Sequence, residues 1–157
     1  LLRHDSVHGA FAGDVRSLGD ELTINGAPIT VTHGKTPEEI AWGALQVDVV
    51  VEATGRFVAG AEARRHLGQG AKRVVVSAVS PGADRMIVLG LHDAHVAPHE
   101  RVISNASRTT HAAALPLWLL HRFYGVVAAD MTTVHCTTGS QVTIDMPHKD
   151  KRRARAA

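Results

Sequence analysis

The chain has 157 residues, 45% hydrophobic and 20% charged, which suits one compact globular domain and excludes wholesale disorder. Lysine and arginine total 17 against 15 acids, but Lys149, Lys151, Arg152, Arg153 and Arg155 gather in the last nine residues, leaving residues 1–148 slightly acidic. With no recognition motif beside that cationic tail, the charge pattern argues against a nucleic-acid partner.

In chain order, residues 22–31 (LTINGAPITV) read as a hairpin. Asn25-Gly26 tolerates the positive φ of a type I′ turn, and Pro28 marks the returning strand as an edge. Residues 36–46 open like a short helix, with Thr36 as N-cap, Pro37 in the first turn, Glu39 three residues after the cap and Gly43 as the stop. The β-branched runs 47–53 and 73–79 flank a helical stretch, 59–68, and together predict a βαβ unit. Residues 86–91 and 102–103 add further strands. Continuous apolar runs of this kind suit a parallel sheet covered on both faces. Residues 109–124 predict a longer helix interrupted by Pro116, and 126–136 a last strand, in which Cys136 is expected to be a small buried residue.

One cysteine excludes an internal disulfide framework. The longest apolar run, 112–120, is far below the ~20 residues of a membrane helix, and the first residues lack a secretion signal. A soluble, cytoplasmic chain is expected. No H-E-x-x-H spacing occurs, and His92, His95 and His99 fall in a proline-containing loop, so no metal site is expected. No G-x-G-x-x-G opens the βαβ unit, so the usual phosphate cradle of a dinucleotide site is missing from this sequence.

Five segments go further. HDSVHG at 4–9 with Phe11 and Gly13, VVEATGRF at 50–57, SNASRTTH at 104–111, MTTVHCTTGSQ at 131–141 and HKDKRRARAA at 148–157 follow one another along the chain. In order and spacing they resemble segments of the phosphorylating glyceraldehyde-3-phosphate dehydrogenases. The resemblance implies an α/β fold, a partial Rossmann-like parallel sheet plus the opening helix, strand and loop of the dehydrogenase catalytic domain. Residues 1–107 would be a partial NAD-binding domain without its first βαβ unit, and 108–157 a partial catalytic domain.

The family reaction is the glycolytic, NAD-dependent oxidation of an aldehyde phosphate. A cysteine thiolate at a helix start attacks the aldehyde, a histidine assists, hydride passes to NAD and phosphate releases the acyl group. The resemblance puts Arg108 at the thiol position and His135 at the catalytic histidine. It puts Thr54 and Gly55 against the nicotinamide-side ribose and phosphates, and Ser107, Thr109, Thr138 and Arg152 around the substrate phosphate. Thr138 and Arg152 equally suit a polar strand end and a solvated basic loop. His111 replaces an asparagine of the same signature. A guanidinium stays protonated and has no lone pair with which to attack, so the chain is expected to be a pseudoenzyme for the family reaction. NAD binding is expected to be weak or absent. Arg108 either swings into solvent or makes the old thiol position an anion site for phosphate or a phosphorylated sugar. The alternatives are a non-catalytic binding or regulatory partner, forming homo- or hetero-oligomers with dehydrogenase subunits, and a decayed gene product.

Overall fold

The computed structural model describes residues 3–5, 9–91 and 96–137. The chain divides into two compact units, Leu1–His111 and Ala112–Ala157.

The first unit opens with a two-residue antiparallel ladder, β1 (His4–Asp5) with β2 (Gly9–Ala10). A three-stranded meander follows: β3 (Val15–Leu18), β4 (Glu21–Ile24) and β5 (Ala27–Thr30). The second hairpin is the expected one. Asn25 (φ 50°) and Gly26 (φ 82°) both take positive φ, which matches the right-handed twist of the flanking strands. The Asn25 side chain also accepts the Asp14 N–H at 2.9 Å, tying the turn back to the start of β3. Ile24 pairs with Ala27 across the turn and Thr23 with Pro28, so the missing N–H of Pro28 falls on the open side of an edge strand. The first hairpin, closed by Gly19 at φ 57°, is not among the expected elements.

Residues 36–46 form less helix than their sequence suggests. Glu39 reaches back, accepting the Lys35 N–H at 3.0 Å and the Thr36 hydroxyl at 3.1 Å, but the Thr36 side chain caps no backbone N–H, so the expected capping box is not completed. Only one 3₁₀ turn forms, Pro37–Glu39, because Ile40 is already extended (φ −117°, ψ 109°). Tertiary docking takes over there: the Trp42 indole bonds His66, and the Gly43 N–H donates to the Gln69 carbonyl at 2.9 Å.

The main sheet has four parallel strands, β6 (Val49–Glu52), β7 (Arg73–Val76), β8 (Arg85–Met86) and β9 (Val102–Ser104), in the spatial order β6-β7-β9-β8. Between β6 and β7 run α1 (Gly60–Ala63) and α2 (Arg65–Gly68), one helical path tightened at Arg64 (ψ −21°). The βαβ unit of the sequence is therefore present. Its core is Val50, Ala63, Ala71, Val74, Val76 and Val102, with Trp42, Val58 and Leu67 packed against it.

Coverage on both faces holds only for β9, whose three residues are all buried. In β6, Val50 and Glu52 face the core while Val49 and Val51 stay 49% and 64% exposed. A continuous apolar run thus behaves as an alternating strand, because nothing among the described residues covers its second face.

Asp84 locks the two short strands together. Its Oδ2 accepts the N–H groups of Arg101 and Val102, both at 2.8 Å, and its Oδ1 pairs with Arg64. The Arg64 guanidinium, helped by those two amides and opposed by partial burial, holds the Asp84 carboxyl down at about 2 from the ordinary 3.8.

In the second unit, α3 (Arg108–Tyr124, beginning in the first unit) runs on from Ala112 and stops at Gly125, which takes φ 72° and donates its N–H to the His121 carbonyl. Pro116 lies inside it, as expected, and removes one donor. Residues 126–137 form no strand. No other described strand runs beside them to complete a ladder, and Val127 and Val134 are almost fully exposed. Cys136 is accordingly exposed, not the buried strand residue expected.

Two measurements check this packing. A Cβ on Gly60 would lie 2.1 Å from the Gly82 carbonyl oxygen, whereas one on Gly68 meets nothing within 4 Å. Gly60→Ala is expected to lower stability by about 2–3 kcal/mol through backbone overpacking. Gly68→Ala is expected to be neutral or to raise stability by about 0.5–1 kcal/mol. Urea unfolding midpoints read both. Asp84 has a folded pKa below its unfolded one, so its contribution is complete above 3.8 and disappears as pH falls through about 2. Asp84→Asn is expected to flatten the acid limb of a stability–pH curve across that window and to lower the plateau above it.

Candidate functional site

Open parallel sheets bind ligands beyond the carboxyl ends of their strands, where side chains and free backbone groups converge. Three strand ends supply that edge here. The segments after β6, β7 and β9 stay in step beyond their ladders: the Ser77 N–H donates to the Glu52 carbonyl at 3.0 Å and the Asn105 N–H to the Val76 carbonyl at 2.9 Å.

After β6 the chain turns at Thr54-Gly55-Arg56. Glu52, the last residue of the strand, is buried, and its Oε1 accepts both the N–H (2.8 Å) and the hydroxyl of Thr54. The Thr54 oxygen in turn accepts the Arg56 N–H at 3.1 Å. Gly55 sits at φ 73° with open space where a Cβ would lie, leaving its backbone approachable. Burial alone pushes the Glu52 carboxyl up. The Thr54 hydroxyl and amide, followed by His66, outweigh it and hold the group below the usual carboxylate range.

After β9 the turn is built on Ser104, which is fully buried. Its hydroxyl donates to the Ala78 carbonyl at 2.7 Å and accepts the N–H groups of Ser80 (3.1 Å) and Ala106 (3.2 Å). One side chain thereby joins the ends of β7 and β9. Ala106 then takes φ 51°, a left-handed conformation rare for a residue with a Cβ. That turn delivers Ser107 to the start of α3, where its hydroxyl accepts the Thr109 N–H at 3.1 Å as an N-cap. Arg108 is the first helical residue and is exposed, and Thr109 is half-buried. The His111 ring nitrogen Nδ1 meets the Ser107 carbonyl at 3.1 Å, which marks it as the protonated nitrogen.

The first unit therefore carries Thr54 and Gly55 after β6, and Ser107, Arg108 and Thr109 after β9, two strand positions apart along the same edge. His135 belongs to the second unit, where its Nδ1 contacts the neighbouring Cys136 carbonyl. Thr138 and Arg152 lie outside the described residues.

Residues 1–60 match the family model described as the NAD binding domain of glyceraldehyde 3-phosphate dehydrogenase. Residues 107–157 match the model of that enzyme's C-terminal domain. The chain belongs to the glyceraldehyde-3-phosphate dehydrogenase family. Along its whole length it is 46% identical to the glyceraldehyde-3-phosphate dehydrogenase of Geobacillus stearothermophilus, of which it covers 47%. Corresponding figures are 44% and 47% for glyceraldehyde-3-phosphate dehydrogenase 1 of Bacillus subtilis, and 45% and 46% for the protein of Cereibacter sphaeroides. The chain spans about half the length of the curated relatives it matches.

The dehydrogenase family's NAD-binding model thus takes in the Thr54–Gly55 turn, and its C-terminal model begins at Ser107, the cap of α3. Sequence reasoning missed Glu52, His66, Trp42 and Ser104. The available signal was Glu52 itself, an ionisable residue ending a run of valines, which demands partners wherever that strand is buried.

A hollow of about 470 Å³ opens at the opposite, amino-terminal edge of the sheet, among Asp48, Lys72, Arg73 and Arg101, and none of the candidate residues lines it. Among the described residues no three side chains are grouped to hold a metal, and no helix is long and apolar enough to cross a membrane.

Ser104→Ala leaves two buried N–H groups without an acceptor, at about 1–3 kcal/mol each before relaxation. A net loss of about 2–4 kcal/mol is expected, with the exchange protection of the Ser80 and Ala106 amides falling first. Unchanged protection at those amides would refute this role for Ser104.

Proposed function

We propose that the chain is a dehydrogenase-family protein that retains the nicotinamide-side turn and the nucleophile-bearing helix but does not oxidise aldehydes by the family route. The observation that carries this reading is Arg108 at the first position of α3, capped by Ser107. A thiol there would gain acidity from the helix N-terminus, whereas a guanidinium offers no nucleophile at any usable pH. The same reading divides the chain at 107/108 into a nucleotide-binding part and a catalytic part, and assigns His135 as the histidine left without its thiol.

The residues present fit part of a dinucleotide site. Gly55 leaves room for close backbone approach, and the buried Ser80 hydroxyl after β7 has no hydrogen-bond partner among the described residues. When bound, NAD would supply the hydride acceptor; the chain's own contribution at Thr54 and Gly55 is to hold the nicotinamide-side ribose and phosphates. Residues 1–157 contain no glycine-rich phosphate loop, so these residues on their own are expected to hold NAD weakly. Ser107, Thr109, Thr138 and Arg152 are the residues for phosphate or a phosphorylated sugar.

A second reading, association with another dehydrogenase subunit in the cytoplasm, draws on α3. Leu117, Trp118, Leu120, Phe123 and Tyr124 are all exposed, and no residue of that helix is buried. Apolar surface of that kind favours burial against a partner.

The test is NADH formation from glyceraldehyde 3-phosphate, NAD and phosphate. No turnover above a buffer blank is expected, and Arg108→Cys is expected to restore little because dinucleotide anchoring remains weak. Turnover by the unmodified chain that disappears in His135→Ala would overturn the proposal.

A further inference from the structure

We infer that His66 is a positioning residue for the Thr54–Gly55–Arg56 turn, acting through Glu52 with its ring proton on Nε2. The inference deepens the dinucleotide reading above, on which its functional meaning rests, but its geometry stands alone.

The Trp42 indole N–H lies 3.0 Å from His66 Nδ1. An indole nitrogen only donates, so Nδ1 presents a lone pair and the single ring proton must sit on Nε2. Nε2 is 3.2 Å from Glu52 Oε2, and both side chains are almost completely buried, at 6% and 2% exposed. The contact is therefore a hydrogen bond from a neutral imidazole to a carboxylate. The other carboxylate oxygen, Oε1, is occupied by the amide and hydroxyl of Thr54. One chain of hydrogen bonds runs from Trp42 through His66 and Glu52 to the turn.

The ring is also held sterically. Trp42 lies tilted against it at 5.9 Å between centroids, and Phe57 packs edge-on at 6.4 Å and 88°. Phe57 immediately follows the turn and Glu52 precedes it, so a single imidazole braces both flanks of residues 54–56. Removing its donor leaves Oε2 of Glu52 buried and unpaired. The carboxylate then rotates or takes up a proton, and in either case loosens its hold on Thr54.

Two substitutions separate the ends of this chain. His66→Gln keeps a donor near the Nε2 position but loses the acceptor for Trp42. His66→Asn keeps an acceptor near the Nδ1 position but leaves Glu52 without its donor. In His66→Asn the Thr54 amide is expected to exchange with solvent at least about tenfold faster, and the Gly55 amide resonance to move. In His66→Gln, Thr54 protection is expected to stay near wild type while the Trp42 indole resonance shifts. Equal Thr54 protection in His66→Asn and wild type would overturn the assignment. Nitrogen-resolved NMR of the unsubstituted chain tests it without any variant: a proton on Nδ1 overturns it and a proton on Nε2 supports it.

Titration with NAD then distinguishes the two readings. Accelerated Thr54 exchange in His66→Asn, with no NAD-induced shifts even in the unsubstituted chain, supports the brace and overturns the dinucleotide reading. NAD-induced shifts at Gly55 that survive undiminished in His66→Asn, despite lost Thr54 protection, overturn the positioning role in binding.

Discussion

A carboxylate buried at the end of a strand must be satisfied without water, and much of the first unit is arranged around that demand. Glu52 faces the core beside Val50 on the inward side of β6, where an unpaired charge is not tolerated. Its partners come from three directions: Thr54 from the following turn, His66 from α2 and, through His66, Trp42 from the segment before β6. Docking Trp42 ends the 3₁₀ turn early and brings Gly43 against Gly70, where a Cβ would lie 2.6 Å from the Gly43 Cα. A local requirement for hydrogen bonds thereby fixes the path of a long stretch of backbone.

The same edge of the sheet has a second polar hub in Ser104. The two work differently. Ser104 ties the end of β9 to the segment after β7 by bonds to backbone groups, and so fixes loops to one another. Glu52 ties a turn to side chains in the packed interior. The dehydrogenase-family turn after β6 thus inherits its shape from the core, and the start of α3 inherits its shape from neighbouring strands.

Local chemistry in the sequence was the part that translated most directly into structure. Asn25-Gly26 needed only its own backbone preferences to specify a turn, and Pro28 only its missing N–H to mark an edge. The βαβ unit was legible because β-branched runs and a helical pattern alternate at the right spacing. Where distant partners decide, the sequence was less informative. Residues 40–46 gave up helix to reach α2. Residues 126–136 have strand composition but pair with no strand among the described residues, and Cys136 is exposed. At the site, Thr54, Gly55 and Arg108 were legible through contiguous motifs. The brace behind them was not, since Glu52 and His66 lie 14 residues apart and Trp42 and His66 24 apart, with no local pattern linking them.

Ala106 carries a consequence of a different kind. It is a buried alanine at φ 51°, placed between the Ser104 hub and the cap of α3. Holding a Cβ in that region costs about 1 kcal/mol, a cost the surrounding hydrogen bonds must offset. Glycine in its place would relieve the strain in the folded chain while enlarging the set of conformations open to the unfolded one. Those two effects oppose each other and are similar in size. An exchange between alanine and glycine at this corner is therefore nearly neutral in stability, while the backbone leading into the Ser107 cap is stiffer with alanine than with glycine.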